Sequence, residues 1–290
     1  MRQLLFIEKE KMGKKLCIVL AVMAILLMGI SGYQLYKIQT EYQEGTDLYD
    51  ELAAQMVKMQ QKDTPKQTEA ETTDKVSNTG EAPTTSADDT AAKTDEIPKS
   101  TDDCPVTIDF EGLTAYNDDI VGWIYMEDTL INYPVVQSDD NSYYLRRMLN
   151  GKYNIAGTIF MDYRNNADMS DLNTIIYGHN VKNGSMFGDI PKYKEQSFYD
   201  AHPVMWFITP DGTYRIDIIA GMITDTSSDA YDIFDNDESL DTFLEDIIKN
   251  STFKSNVDIN GIEKIVTLST CTYEFDDARY ILIGSIVPVS

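Results

Sequence analysis

Three features of the 290-residue chain point to a mainly β fold with short helices: a closed or partly closed barrel of eight or so strands, behind a membrane-spanning N-terminal helix and a linker. One is an apolar run near the N-terminus. Another is a long polar stretch too poor in large apolar residues to fold. The last is a C-terminal region of short β-branched segments separated by turns, with few long helical patterns.

The chain starts with a basic flank, Met1 to Lys15, that carries Arg2, Lys9, Lys11, Lys14 and Lys15. The apolar run follows from Leu16 to Ile30 and trails to Tyr33. With its flanks it approaches the roughly 20 residues that a membrane-spanning helix needs. The basic side predicts a cytoplasmic N-terminus and an extracellular remainder. Gly29-Ile30-Ser31 also fits a signal-peptide cleavage site. The length of the run, and a helical pattern continuing past that site, favour an uncleaved anchor.

Residues 34–62 carry a spaced apolar seam of Leu35, Ile38, Tyr42, Gly45, Tyr49, Leu52, Met56 and Met59. Its alternating steps of three and four suit either a self-associating stalk or a single helix leaving the membrane. Gly45 interrupts the seam, and a glycine inside a helix costs about 1 kcal/mol relative to alanine. From 63 to 103 the composition turns to Thr, Ser, Ala, Pro, Asp, Glu and Lys, which predicts a disordered acidic spacer holding the folded part off the membrane.

The globular domain is expected from Cys104 to Ser290, a length ample for one core. A short helix is predicted around Asp109–Tyr116, then strands at Gly122–Tyr125, Ile131–Val136, Gly157–Asp162 and Asn173–Tyr177. Met186–Tyr199 reads as one or two short helices. Strands at Val204–Thr209 and Thr213–Thr224 flank the turn Pro210-Asp211-Gly212. Ser239–Lys249 has helical spacing in Leu240, Phe243, Leu244, Ile247 and Ile248. Lys264–Thr270 and Arg279–Val287 close the domain as strands.

A formal net charge of −24 argues against nucleic acid as a partner and suits a soluble ectodomain. Three cysteines make no disulfide framework. Cys17 lies in the apolar run and Cys104 beside Pro105, and a Cys104–Cys271 pair is conceivable. Two distant histidines and no cysteine pair argue against a zinc site, and no glycine-rich phosphate loop is present. No cofactor is implied.

Cys271 is the cysteine of the strand-rich region, standing at a strand end, and Arg279 opens the next strand eight positions on. His179 follows the apolar strand Thr174–Tyr177, with Gly178 allowing a sharp exit. Cysteine attacks as its thiolate and needs a cationic neighbour to ionise near neutrality. Histidine supplies that charge or carries a proton to a leaving amine. Arginine stays charged and presents a planar fork to a developing oxyanion. Each also has a plain structural reading: a small buried apolar cysteine, a hydrogen-bonded core histidine, and an ion pair of Arg279 with Asp276 or Asp277. His202, before Pro203, has no evident partner.

"TLSTCTYEFDDARYILIG" resembles the signature of the sortases, cysteine transpeptidases of Gram-positive surfaces, and its T-L-S-T-C form resembles class B. "YGHNVKNGSMFGDI" is similar to the class B histidine segment, and "NDDIVGWIYMEDTLINYPVVQSDDNSYYL" to the start of that domain. The resemblance runs in order from Phe110 to Pro288. It implies an eight-stranded sortase-type barrel in which Cys271, His179 and Arg279 are catalytic. Cys271 would form a thioester with the threonine of a C-terminal sorting motif. His179 would protonate the leaving amine and then deprotonate an amine of a peptidoglycan precursor. Arg279 would hold the threonine region and the oxyanion. Ser269 and Thr270 would contact substrate, with Ser269 the stronger candidate. The insert around Asp225–Asn260, with its helix, would form a specificity wall. No Asp or Glu can be singled out as orienting His179. The implied partners are sorting-motif-bearing surface proteins, the precursor amine and the membrane. The alternatives are an extracellular thiol endopeptidase that uses water, or a non-catalytic surface binding module with a degenerate site.

Overall fold

Helix α1 (Arg2–Met56) opens the chain without a break. The structure, a computed structural model, describes residues 2–60 and 103–289, with side chains from residue 19 onward. Along its outer half, Leu20, Ile25, Leu26, Leu27 and Met28 are exposed on every side, and the helix is long and apolar enough to cross a membrane. Its inner half is different. Gly45, Tyr49 and Leu52 are buried against the rest of the protein, while Leu35 and Ile38 remain exposed. From Tyr42 to Met56 the spaced seam is therefore a docking face for the domain rather than a self-associating stripe, while Met59 stays exposed. Gly45 is placed where a side chain would press on Asn154, whose amide Nδ2 donates to the Glu41 carbonyl.

Strand β1 (Val57–Met59) leaves α1 directly and pairs antiparallel with β2 (Val106–Ile108). The expected spacer falls on residues outside the described ones, but its two flanks lie side by side, Gln60 N donating to Pro105 O at 2.8 Å. The distance from the apolar run to the domain is thus set by α1, and the folded region takes in residues well before Cys104. Short helix α2 (Phe110–Tyr116) follows, capped by the Asp109 carboxylate, which accepts from Gly112 N.

Eight strands close the barrel. They are β3 (Ile120–Tyr125), β4 (Asn132–Val136), β5 (Ile159–Met161), β6 (Asn173–Tyr177), β7 (Val204–Ile208), β8 (Thr213–Thr224), β9 (Ile265–Cys271) and β10 (Arg279–Val289). Around the wall the order is β10, β8, β7, β3, β4, β5, β6, β9 and back to β10. β4–β5 and β6–β9 are parallel, and the other neighbours antiparallel. The β7–β8 turn forms as predicted, Thr209 Oγ1 accepting from the amides of Asp211 and Gly212. β5 is shorter than expected because Gly157 sits in the left-handed region at φ +60° and Asp162 turns its carboxylate to Arg164. The segment before helix α3 (Gln196–Ala201) holds a 3-10 turn at Ile190–Lys194.

Trp123, Ile124, Phe207, Leu268 and Tyr280 belong to the main apolar core, all essentially inaccessible. A second apolar layer lies under helix α4 (Asp237–Lys249), capped by Asn236. Leu240, Leu244 and Ile247 make one face of that helix and join a cluster with Ile219, Ile265, Ile281 and Ile283. That layer ties the β8–β9 insert to the outside of the strands that end at the site.

Candidate active site

β9 and β10 are antiparallel neighbours in a register that sets the last residue of one, Cys271, opposite the first residue of the other, Arg279. β6 runs parallel to β9 with Tyr177 beside Ser269, so its exit delivers Gly178 and His179 to the same rim. Three hydrogen bonds fix that exit. Gly178 N donates to Ser269 O at 3.1 Å, Thr270 Oγ1 to Gly178 O at 2.7 Å, and Asn180 Nδ2 to Cys271 O at 2.9 Å. Gly178 is needed for space rather than for a special backbone angle: a Cβ there would lie 2.6 Å from the Phe187 ring.

Cys271, His179 and Arg279 are each half-buried. Together they line a cavity of about 530 Å³, shared with Ser269, Thr270 and Tyr231. Cys271 and Cys104 are both free thiols; Cys104 is buried and donates to Val106 O. Arg279 does not pair with Asp276 or Asp277 through their carboxylates. Its Nη1 donates to the backbone carbonyls of Asp277 and Ala278 at 3.0 and 3.1 Å. The loop between Cys271 and Arg279 is anchored at Glu274, whose carboxylate meets Lys194 and Thr272. The Lys194 contact, seconded by Thr272, lowers the Glu274 carboxyl to about 2.

The His179 ring is oriented by a backbone group. Nε2 lies 2.8 Å from the Leu145 carbonyl. A carbonyl only accepts, so Nε2 carries the proton and Nδ1 is left to exchange one. Burial pushes the His179 pKa below its usual value, against the pull of that carbonyl, and Arg146 adds to the lowering. No carboxylate among the described residues hydrogen-bonds the ring. His202 has no part in the site; it ends α3 and packs on Phe198, ring centroids 4.5 Å apart.

Ser269 and Thr270 line the cavity but are almost wholly buried, with hydroxyls already engaged. Ser269 Oγ is 2.9 Å from Tyr231 OH, and Thr270 braces Gly178. Residues that sequence reasoning missed build the wall. Asp162, fully buried, accepts both arms of the Arg164 guanidinium at 2.9 Å, Tyr177 OH at 2.8 Å and Asn141 Nδ2 at 3.0 Å. Burial alone would raise the Asp162 carboxyl, but these donors outweigh it and hold it below its usual range. Arg164 also donates to Tyr231 O at 3.0 Å, and the Tyr177 and Tyr231 rings stack 6.2 Å apart. Asn180 stood in the histidine motif and Tyr231 in the insert, but neither carried a signal for these contacts.

The family model described as "Sortase domain" matches residues 124–287. Sortase B of Listeria monocytogenes is 39% identical over 180 residues, covering 60% of this chain and 72% of that protein. Sortase B of Staphylococcus aureus is 36% identical over 185 residues, covering 62% and 75%. The solved Staphylococcus aureus sortase B–substrate complex superposes with a TM-score of 0.59 at 35% identity, over 62% of this chain and 85% of that one. The chain belongs to the sortase family, in its class B, and is a cysteine transpeptidase that anchors surface proteins to the cell wall.

Proposed function

We propose that Cys271 is the nucleophile of this transpeptidase, His179 its proton carrier and Arg279 its oxyanion donor. The observation that carries this reading is the register of β9 on β10, with Cys271 directly across from Arg279, and His179 pinned to the same strand end. The Cys271 thiol passes its proton to Nδ1 of His179, and the thiolate adds to the threonine carbonyl of a sorting motif lying in the groove. Charge gathers on that oxygen and is met by the Arg279 fork. As the tetrahedral species collapses, the C–N bond breaks and the departing amine takes a proton from His179, leaving a Cys271 thioester. An amine of a lipid-linked peptidoglycan precursor then attacks the thioester and gives its proton back to His179. The thiolate leaves, and the new amide joins protein to wall. The groove holds the motif between Ser269 on its floor and the stacked Tyr177 and Tyr231 on its wall, with Thr270 bracing the histidine exit.

The apolar half of α1 is proposed as a single-pass anchor with its basic end in the cytoplasm, which puts the barrel outside the cell. Tyr33 and Tyr49 are sixteen residues apart, or about 24 Å along a helix rising about 1.5 Å per residue. Residues 1–33 thus form the anchor, and the helix beyond them holds the groove near the membrane-bound precursor. The test follows Cys271 by intact mass with sorting-motif peptides, with and without an added amine. A new amide product marks transpeptidation, and free acid alone would mark a thiol endopeptidase.

A further inference from the structure

The seam on the inner half of α1 has a consequence for the chemistry. Tyr49, 2% exposed, sends its hydroxyl into the domain, 3.0 Å from Gly157 O and 2.7 Å from Thr158 Oγ1. Its ring meets Tyr133 edge-on, centroids 5.7 Å apart. Thr158 passes the contact on. Its Oγ1 donates to Arg147 O at 2.8 Å and its amide to Tyr144 O at 3.1 Å. Those two residues bracket the 3-10 turn Tyr144–Arg146. Leu145, at its centre, supplies the carbonyl that holds His179.

Gly157 seals the connection: a Cβ there would come within 2.6 Å of both the Tyr144 and Leu145 carbonyl oxygens. The same loop is gripped a second time at Asn154. Its side chain donates to Glu41 O at 2.6 Å and its amide to Arg146 O at 3.0 Å. The helix therefore holds both ends of the turn that orients the histidine.

We propose that the docked half of α1 is a positioning element of the active site, with Tyr49 its positioning residue. Through Gly157 and Thr158 it fixes the Leu145 carbonyl, and that carbonyl fixes the His179 ring and its tautomer. Tyr49 touches neither substrate nor Cys271 and acts only through the 144–158 loop. The helix that leads to the membrane is thereby part of the machinery that aims the proton carrier. This inference rests on the catalytic reading of His179.

The test uses the full chain in lipid nanodiscs, with Tyr49→Phe, Tyr49→Ala and, as a reference, His179→Ala. Turnover is measured on peptides of the two motif types that the class B resemblance implies, Asn-Pro-Xaa-Thr-Asn and Ser-Pro-Xaa-Thr-Gly. ¹⁵N-histidine spectra report the ring tautomers. With two histidines in the chain, His202→Gln assigns both signals. The parent should show the Nε2–H form of His179. Tyr49→Ala should lose that single tautomer and lower kcat about tenfold, the scale of one lost hydrogen bond, with KM within about twofold. Tyr49→Phe should fall between, because it keeps the ring packing and loses the hydroxyl. An unchanged tautomer or an unchanged kcat in Tyr49→Ala overturns the proposal. So does a drop in melting temperature with normal kcat in the folded fraction. Turnover that survives in His179→Ala instead overturns the catalytic reading beneath it, so the two failures are distinct.

Discussion

The floor of the groove is made of strand ends, whereas its wall at Tyr231 hangs on a 3-10 turn in the long insert between β8 and β9. On the floor, Cys271, Arg279 and the His179 exit are tied by backbone pairing and by Thr270 and Asn180. On the wall, Tyr231 is held by side chains: the Arg164 fork, the Ser269 hydroxyl and the stacked Tyr177 ring. A ladder in a closed barrel cannot drift without breaking many hydrogen bonds, so it suits groups that must meet one reacting carbon. A wall held by a few side chains can vary while the chemistry stays. Substitutions on the floor should therefore act on kcat, and those on the wall on KM and motif choice.

The largest effect is expected at the nucleophile. Cys271→Ala should form no acyl adduct by intact mass. His179→Ala should lose at least about a hundredfold in kcat, the scale of general acid–base catalysis. Arg279→Lys should fall by about a hundredfold despite keeping its charge, since one ammonium does not replace a planar fork at an oxyanion. Kinetics on a reacting peptide would check both. If Arg279→Lys keeps near-parent kcat, the guanidinium leaves the mechanism.

Those three positions were legible in the sequence for physical reasons. Val266, Leu268 and Ile281–Ile283 are apolar and β-branched enough to mark strands, and functional side chains at strand ends stand out against such runs. The resemblance in three ordered motifs then supplied the roles proposed for them. The wall was not legible in this way. Arg164, paired locally with Asp162, meets Tyr231 across 67 residues of chain, and no periodicity encodes such a pairing. The Leu145 contact was hidden more deeply, because a backbone carbonyl has no residue identity to read. Tyr49 lay in plain view within a spaced seam. The spacing suited either a self-associating stalk or a single helix leaving the membrane, and neither reading pointed to the domain on which Tyr49 and Leu52 are buried. Gly45, which looked like a flaw in a coiled coil, lies where a side chain would press on Asn154.

Smaller effects probe the wall. Arg164→Met removes the link between Asp162 and the Tyr231 carbonyl. It should raise KM by roughly threefold to tenfold with kcat within about twofold, and cost about 1–3 kcal/mol of stability through the less satisfied Asp162 carboxylate. Steady-state kinetics beside a denaturant melt would separate the two. A kcat loss as large as that of Arg279→Lys would erase the distinction between wall and floor.

The smallest effect is a pH dependence of stability. Burial lowers the pKa of His179 in the folded state. Above the unfolded value of about 6.5 the ring is neutral in both states and costs nothing. As pH falls below that value the unfolded chain takes up the proton first, so the folded state loses ground until the depressed folded pKa is passed. His202 is lowered in the same way, chiefly by burial, and adds to the trend. Relative to the parent, His179→Gln should therefore gain melting temperature as pH drops from about 7 to about 5. A constant offset across that range would mean the ring is not desolvated.

The Cys271–Arg279 strand ends and the His179 exit should work as one transpeptidation site. Intact mass of the full chain in nanodiscs, incubated with sorting-motif peptides with and without an amine acceptor, decides it. The predicted result is an acyl adduct on Cys271, absent in Cys271→Ala, with cleavage after threonine and an amide product when amine is added. A chain whose Cys271 alkylates readily yet yields no adduct with any peptide, or an adduct that persists in Cys271→Ala, would contradict it.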